Sequence, residues 1–470
     1  MRALPIYLYL ALLTFPLTPA LGEAPGAVDS QSQYERGIEA LKAKDGPTAS
    51  AALETCLELT PKDTPLYLEC QWELGWAYWL QNDWAKVVPL WEEVVERDPS
   101  RPEGRERLET ARANLKVAQM SRQSAASASD SFVSKASNGA QLRLRAVGDL
   151  MIGTSFPDGY LPPDDASQTF NDVGAWLQDA DLTFGNLEGP ICDHGATKKC
   201  DPNKPAGRCY AFKSPSRYAA LYKAAGFDMM STANNHAEDF GLECRLETEK
   251  HLEAQGIAHS GRPGQIAHLD INGLAVTMVG FHTSPSGHHL NDHRRARALI
   301  ESLAKECDIM IVSFHGGAEG NKALHVPEGQ ESFYGENRGD LRTFTHMAID
   351  AGADLILGHG PHVLRGMEVY QDRLIAYSLG NFATYGRFNL SSNLGIGAVL
   401  EVSLDNQGRF LGGKLLPTAQ EGRGRPMRDT QARAIDLVRM LSSQDFPKSH
   451  VRVARDGSLS VPPATANHDG

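Results

Sequence analysis

From Gln31 to about Lys116 apolar residues recur at three- and four-residue steps among Ala, Leu, Glu and Lys, and that period is helical. The stretch also echoes itself. Gly37 and Pro61 return as Gly75 and Pro99, each at an offset of 38. A glycine lets two helices approach, and a proline ends the second. The pattern predicts an all-α domain over 28–118. Ser121 to Ala140 has Ser and Ala but no period, and predicts a flexible linker over 119–140.

At Leu142 the pattern changes to short apolar runs alternating with helical segments. The strands predicted are Leu142–Val147, Leu182–Phe184, Met229–Thr232, Ala275–Val279, Ile309–Phe314, Leu355–Leu357, Leu374–Ser378 and Ala398–Val402. The helices are Asp172–Gln178, Ser216–Ala225, Cys244–Ala254, Arg294–Glu306 and Asp340–Asp350. Such alternation predicts an α/β domain, here over 141–420. Residues 421–470 are polar and predict a helix around Ala432–Leu441 and a loose tail past Pro462-Pro463.

The ends of the strands carry the chemistry. Leu144 to Val147 runs into Gly148-Asp149, and Leu182 to Phe184 into Gly185-Asn186-Leu187-Glu188. Met229 to Ala233 runs into Asn234-Asn235-His236, and Ile309 to Ser313 into Phe314-His315-Gly316-Gly317. Asp354 to Leu357 runs into Gly358-His359-Gly360-Pro361-His362. Each has an ordinary reading alone: a turn or cap for Asp149, a loop carboxylate for Glu188, turn residues for the asparagines, a hydrogen-bonded core imidazole for His315. Together they are oxygen and imidazole groups at strand ends, where α/β folds gather ligands. A mixed set of that kind suits Mn, Fe or Zn better than Ca or Mg. Asp149, Glu188, Asn235, His315, His359 and His362 exceed what one tetrahedral ion needs, so one or two divalent ions are expected. Asn234 and His236 are the catalytic candidates, with His236 able to hold a proton for a leaving group. Arg338, Arg365 and Arg387 lie in loops near these motifs and could grip phosphate or carboxylate, although each also reads as a surface arginine. His194, His282, His288, His289 and His293 lie in polar loops and are expected to face solvent.

Bulk properties narrow the setting. Arg2, the apolar run Ile6 to Leu17 and Ala20-Leu21-Gly22 read as a signal peptide over 1–22. The apolar run falls short of the ~20 residues a membrane span needs. A soluble mature protein in the periplasm or outside the cell is expected. The net charge of −12 excludes a nucleic-acid partner, which needs a basic footprint, and disfavours an anionic lipid surface. Seven cysteines in an exported chain permit disulfides and leave at least one thiol over. Cys192, Cys200 and Cys209 share one polar loop without a Cys-x-x-Cys pair, so a stapled loop is favoured over zinc. Cys56 and Cys70 flank a short connection.

In order, Gly148-Asp149, Gly185-Asn186-Leu187-Glu188-Gly189, Ala233-Asn234-Asn235-His236, His315-Gly316-Gly317-Ala318-Glu319, Gly358-His359-Gly360-Pro361-His362-Val363 and Tyr377-Ser378-Leu379-Gly380-Asn381-Phe382 resemble the motif series of the CapA/PgsA capsule (poly-γ-glutamate) synthesis family over about 142–416. Leu74, Gly75, Tyr78, Trp91 and Pro99 are similar to a tetratricopeptide repeat, whose concave face often binds partners. The first unit departs from it, with Ala40 in the place of Tyr78. The capsule family is similar in turn to the calcineurin-like metallophosphoesterases. The resemblance implies a two-sheet sandwich flanked by helices. It also implies carboxylate ligands Asp149 and Glu188, an amide ligand Asn235, imidazole ligands His315, His359 and His362, and His236 as leaving-group acid. Met151 departs from the phosphoesterase pattern by standing where Asp-x-His would place a histidine. The bridging carboxylate falls to Asn186 or Glu188, Gly316 replaces an aromatic, and Pro361 lengthens Gly-His-x-His by one residue. The function implied is hydrolysis of a phosphoester-type bond in capsule, poly-γ-glutamate or other envelope polymer production, on an anionic polymer or a phosphorylated small molecule. A non-catalytic assembly factor, docked on a membrane polymer synthase through the helical repeats, stays open. So does a metal-dependent γ-glutamyl amidase.

Overall fold

A computed structural model describes residues 29–126 and 139–461, apart from 82, 198, 201–208, 285 and 450. The expected signal peptide, the Pro462-Pro463 tail and linker residues 127–138 lie outside that range. The chain divides between Leu108 and Glu109 into two units.

In the first unit Asp29 and Asp45 open helices α1 (Ser30–Lys42) and α2 (Gly46–Leu59) by accepting from the backbone N–H of Ser32 and Thr48. Helices α3 (Pro65–Leu80) and α4 (Trp84–Arg97) follow. Each of these helices packs on the next. The 38-residue echo is an echo of packing. A Cβ on Gly37 would stand 2.5 Å from Leu53 Cγ, and one on Gly75 would stand 2.0 Å from Trp91 Nε1. Leu53 and Trp91 are themselves one offset apart. Trp91 Nε1 donates to Trp72 O at 3.1 Å, and a disulfide joins Cys56 to Cys70, tying α2 to α3. Helix α5 (Gly104–Ala126) continues into residues expected to be linker, because Arg122, Gln123, Ala125 and Ala126 are good helix formers.

The second unit holds two large sheets face to face. One runs in the order Ser458–Ser460, Phe410–Glu421, Ile396–Asp405, Gln141–Met151, Leu182–Leu187, Met229–Ser231, Ala258–Ser260. The last four of these strands are parallel. The other runs Met367–Tyr370, Arg373–Ala376, Leu355–His359, Ile309–His315, Leu274–His282, Ala267–Ile271. Its central strands are parallel too, so chemistry placed at their ends lands on one edge. Leu142, Leu144 and Leu182 of the first sheet meet Val276, Ile309, Ile311 and Leu355 of the second in the main core. The second sheet's outer face packs helices His293–Leu303 and Leu341–Asp350 through Leu299, Ile300 and Phe344. The first sheet's outer face packs Tyr218–Ala225 through Tyr222, with Phe227 and Met230. Strands covered on both faces are apolar at consecutive positions, which is why they were readable.

The segment past 420 is more than a helix and tail. Strand Arg425–Arg428 pairs with Phe410–Glu421, Ser458–Ser460 extends the same sheet, and helix Arg433–Asp445 lies near the expected 432–441. Among the described residues no helix is long and apolar enough to cross a membrane.

Gly75→Ala forces a methyl into the space of a hydrogen-bonded indole. A loss of about 1–3 kcal/mol in urea denaturation is expected. Unchanged stability would show that α3 and α4 are not packed as described.

Candidate metal centre

Four strand ends and one loop meet at the edge where the two sheets' parallel strands finish. Asp149 ends Gln141–Met151, with its N–H on Gly380 O at 2.9 Å, and is fully buried. Glu188, also fully buried, follows Leu182–Leu187. His315 and His359 end neighbouring strands and are register partners, which sets the two imidazoles side by side. His362 follows on the turn. Gly358 is required there, since a Cβ would stand 2.3 Å from Tyr377 O, and Gly360 has φ +112°. His362 has φ +59°, an unusual backbone for a non-glycine residue, and its side chain is 13 % exposed.

Asn186 ties the acidic groups together. Its amide nitrogen donates to Asp149 Oδ1 at 2.8 Å and to Glu188 Oε2 at 2.7 Å. Its Oδ1 accepts from Asn234 Nδ2 at 3.2 Å. Asp149 Oδ2 lies 2.8 Å from His362 Nδ1, and Asp149 Oδ1 lies 3.5 Å from His359 Nδ1. Glu188 Oε2 is 3.5 Å from His315 Nδ1. Donor atoms of Asp149, Glu188 and His315 all fall within 4.8 Å of one another. Glu188 Oε1 and both ring nitrogens of His315 and of His359 are buried with no hydrogen-bond partner. Buried polar atoms normally have one. A partnerless carboxylate oxygen and two partnerless imidazoles, each able to present one lone-pair nitrogen, are groups that a divalent cation fits, with Asp149, Glu188 and His315 as the convergent set, His359 beside Asp149 and His362 at the rim.

Burial pushes the Asp149 carboxyl up, but the adjacent rings of His359 and His362 hold it well below the usual range. Burial, and then the Asp149 charge, push Glu188 up to about 8. Burial pulls His362 down, but the hydrogen bond and charge of Asp149 outweigh it and hold the ring at about 9.

Across the site stands His236. Its Nδ1 lies 2.7 Å from Asp239 Oδ2 and 3.2 Å from Lys199 Nζ; the shorter contact, to a carboxylate, favours the proton on Nδ1, which leaves the Nε2 lone pair 4.0 Å from Glu188 Oε1. Burial holds the ring below its ordinary value against the pull of Asp239. Asp239 also accepts from Phe212 N at 2.8 Å and from Lys199 Nζ at 2.7 Å.

The expected residues do not all converge. Asn234 is buried, donates to Leu187 O at 2.7 Å and accepts from His236 N at 3.1 Å, so it orients the loop. Asn235, expected as the amide ligand, is exposed, because the turn aims Asn234 inward in its place. Arg365, expected on the substrate, is fully buried with both terminal nitrogens on Glu331 at 2.8 Å. It braces the 318–331 loop. Arg338 is likewise buried, with Nε on Gly317 O at 2.9 Å and Nη2 3.2 Å from Glu319 Oε1. Arg387 alone of the three is half-exposed. His282 and His288 are buried rather than solvent-facing, because the Leu274–His282 strand runs longer than expected. Cys192 pairs with Cys244, Cys200 with Cys209, and Cys307 is a buried free thiol, which leaves no cysteine cluster for zinc. Asp239 and Lys199 were missed. The His-x-x-Asp spacing was visible for Asp239; nothing local marked Lys199.

A two-sheet α/β sandwich with a buried carboxylate–imidazole centre defines the class. The profile of the bacterial capsule synthesis protein PGA_cap family matches residues 143–385, more than half of the chain, and the chain belongs to that family. It is 27% identical over 255 residues to the PGA biosynthesis protein CapA of Bacillus subtilis (strain 168), covering 50% of this chain and 61% of that one. It thus spans less than two thirds of that relative. It is 24% identical over 348 residues to the capsule biosynthesis protein CapA of Bacillus anthracis, covering 68% of this chain and 77% of that one. A probable polyglutamine synthesis accessory protein of Mycobacterium tuberculosis is 26% identical over 230 residues, covering 43% and 55%.

Both Glu188 and His362 have folded values above their ordinary 4.5 and 6.5. Without a metal, the stability their protons contribute is present at low pH. It is lost as pH rises through about 8 and about 9. A cation displaces those protons. Metal-free protein should therefore lose Tm between pH 6.5 and 9, and Mn²⁺ should restore it while releasing protons in calorimetry at pH 7. A pH-independent Tm with no proton release would contradict this electrostatic picture.

Proposed function

We propose that this protein is a divalent-metal-dependent hydrolase of phosphoester-type bonds in the production of capsule or a related anionic envelope polymer. The observation that carries the reading is the orphaned donor set of Glu188, His315 and His359 facing the His236–Asp239 pair. A bound Mn, Fe or Zn would supply Lewis acidity toward a phosphoryl oxygen. The protein's own groups do the rest. Asn186 fixes the Asp149 and Glu188 carboxylates. Asp239 fixes the His236 tautomer, stabilises the ring when it gains a proton, and lets Nε2 hand that proton to a departing oxygen. Asn234 holds the loop that sets this distance. Arg387 is the proposed anion contact. The reading includes export to the periplasm or beyond, which the three disulfides among the described residues favour.

A second reading is a non-catalytic accessory factor that docks a membrane polymer synthase through a tetratricopeptide-like helical unit. The Mycobacterium tuberculosis relative, a probable accessory protein of polyglutamine synthesis, favours it. A γ-glutamyl amidase would use the same centre with an amine as leaving group.

His359→Ala is expected to abolish both bound metal and turnover of an aryl phosphate ester. His236→Gln is expected to keep the metal and lower kcat about 10²–10⁴-fold. Turnover of a γ-glutamyl anilide but not the ester would move the reading to the amidase. Metal-free wild-type protein that hydrolyses neither, yet retains a synthase whose capture survives His359→Ala, would replace it with the accessory factor.

A further inference from the structure

Beside the metal centre five side chains alternate as aromatic and guanidinium. Arg387 lies over Tyr210 at 5.3 Å and over Tyr160 at 5.1 Å. Arg423 lies over Tyr160 at 5.0 Å and over Tyr385 at 5.3 Å. The order is Tyr210, Arg387, Tyr160, Arg423, Tyr385, drawn from four separate segments. Gly386 makes the approach feasible. It has φ +90°, and a Cβ there would stand 3.0 Å from Tyr160 Cδ1 and 3.4 Å from Arg423 Nη2.

The ladder continues into the catalytic centre through two shared segments. Phe388, next to Arg387, has its ring 5.4 Å from His362 and 5.1 Å from Phe212. Phe212, two residues from Tyr210, stacks 4.3 Å from His236. The Tyr210–Arg387 end thus lies toward the metal-site histidines, and Arg423 lies further along the ladder. Tyr210 is 50 % exposed and Arg423 is exposed, so the ladder is open to solvent near both ends.

Its charges lack carboxylate partners. Nearby arginines have them: Arg217 pairs with Asp165 at 2.6 Å, and Arg425 pairs with Asp164. Among the described residues neither Arg387 nor Arg423 has a carboxylate within ion-pair distance. Each gives one nitrogen to a backbone carbonyl, Arg387 Nη2 to Cys209 O at 2.8 Å and Arg423 Nη1 to Gly159 O at 3.2 Å. Arg387 Nε is buried without a partner. In a chain of net charge −12, two guanidiniums without carboxylate partners, each over two tyrosine rings, form a local anion receptor.

We propose that this tyrosine–arginine ladder is an extended subsite for a linear polyanion, binding successive oxyanion groups of a strand whose reacting bond lies at the metal centre. The proposal rests on the hydrolase reading for that last point. It separates an oligomeric substrate from a small phosphate ester, which would reach only the centre. Carboxylate and phosphate present the same oxygen geometry to a planar guanidinium, so the strand is defined by its repeated oxyanions.

The test is anisotropy of two labelled probes, a short glutamate oligomer and a short inorganic polyphosphate, on the full chain with and without Mn²⁺. Wild-type protein should bind at least one, and which one binds identifies the anion. Arg423→Gln should raise that Kd about tenfold, the worth of one charge-assisted hydrogen bond. It should also flatten the salt dependence, with metal content unaltered. Tyr210→Ala, which removes the ladder's half-exposed first ring, should weaken the oligomer and leave free phosphate unaffected. Equal Kd for wild type and Arg423→Gln, or no binding of either oligomer by wild type, overturns the proposal. Failure of the hydrolase reading looks different: no metal uptake, with oligomer binding still dependent on Arg423.

Discussion

Glu188 Oε1 and the ring nitrogens of His315 and His359 are buried without partners. Each such group costs about 1–3 kcal/mol when its hydration is not replaced. The fold tolerates this because its two sheets bring parallel strand ends to one edge, and the register leaves the side chains nowhere else to go. His315 and His359 are fixed partners across adjacent strands, and Asp149 and Asn186 are fixed partners in the other sheet. Close backbone contacts make the convergence tight. A Cβ on Gly148 would stand 1.9 Å from Gly380 O. A cation bound at this edge would offset the cost the strands impose, and stability and chemistry would then be tied to the same atoms.

Around that rigid set the loops divide the work. The His362 turn, in a left-handed backbone, offers a half-open imidazole to the rim. The Asn234–His236 loop is held from below by Leu187 O and from above by Asp239. Arg365 and Glu331, fully paired, brace the loop that follows His315. Arginines that looked alike along the chain therefore do different things. Arg365 is scaffold, Arg338 is held against Gly317 and Glu319, and Arg387 faces outward over two tyrosines.

The sandwich was legible because strands covered on both faces carry runs of consecutive apolar residues. Their ends were marked by Gly, Asp, Asn and His. Strand Phe410–Glu421 was not legible, because Gly412-Gly413 and Lys414 interrupt its pattern on a half-exposed strand. Which of Asn234 and Asn235 points inward depends on the turn, which a doublet of identical residues does not reveal. Lys199 reaches Asp239 from another loop, and Glu331 meets Arg365 across 34 residues. Such pairs follow from tertiary closure, and local pattern carries no trace of them. The 38-residue echo, by contrast, was visible because it is a contact repeated, glycine against Leu53 and then against Trp91.

Anomalous diffraction from crystals grown with Mn²⁺ tests the central claim most directly. The account predicts a peak at the manganese edge within bonding distance of Glu188, His315 and His359, with Asp149 on the same ion or bridging to a second. A fully occupied lattice with no anomalous peak at that edge, or with the ion held elsewhere while Glu188 and the two imidazoles stay unligated, would contradict it.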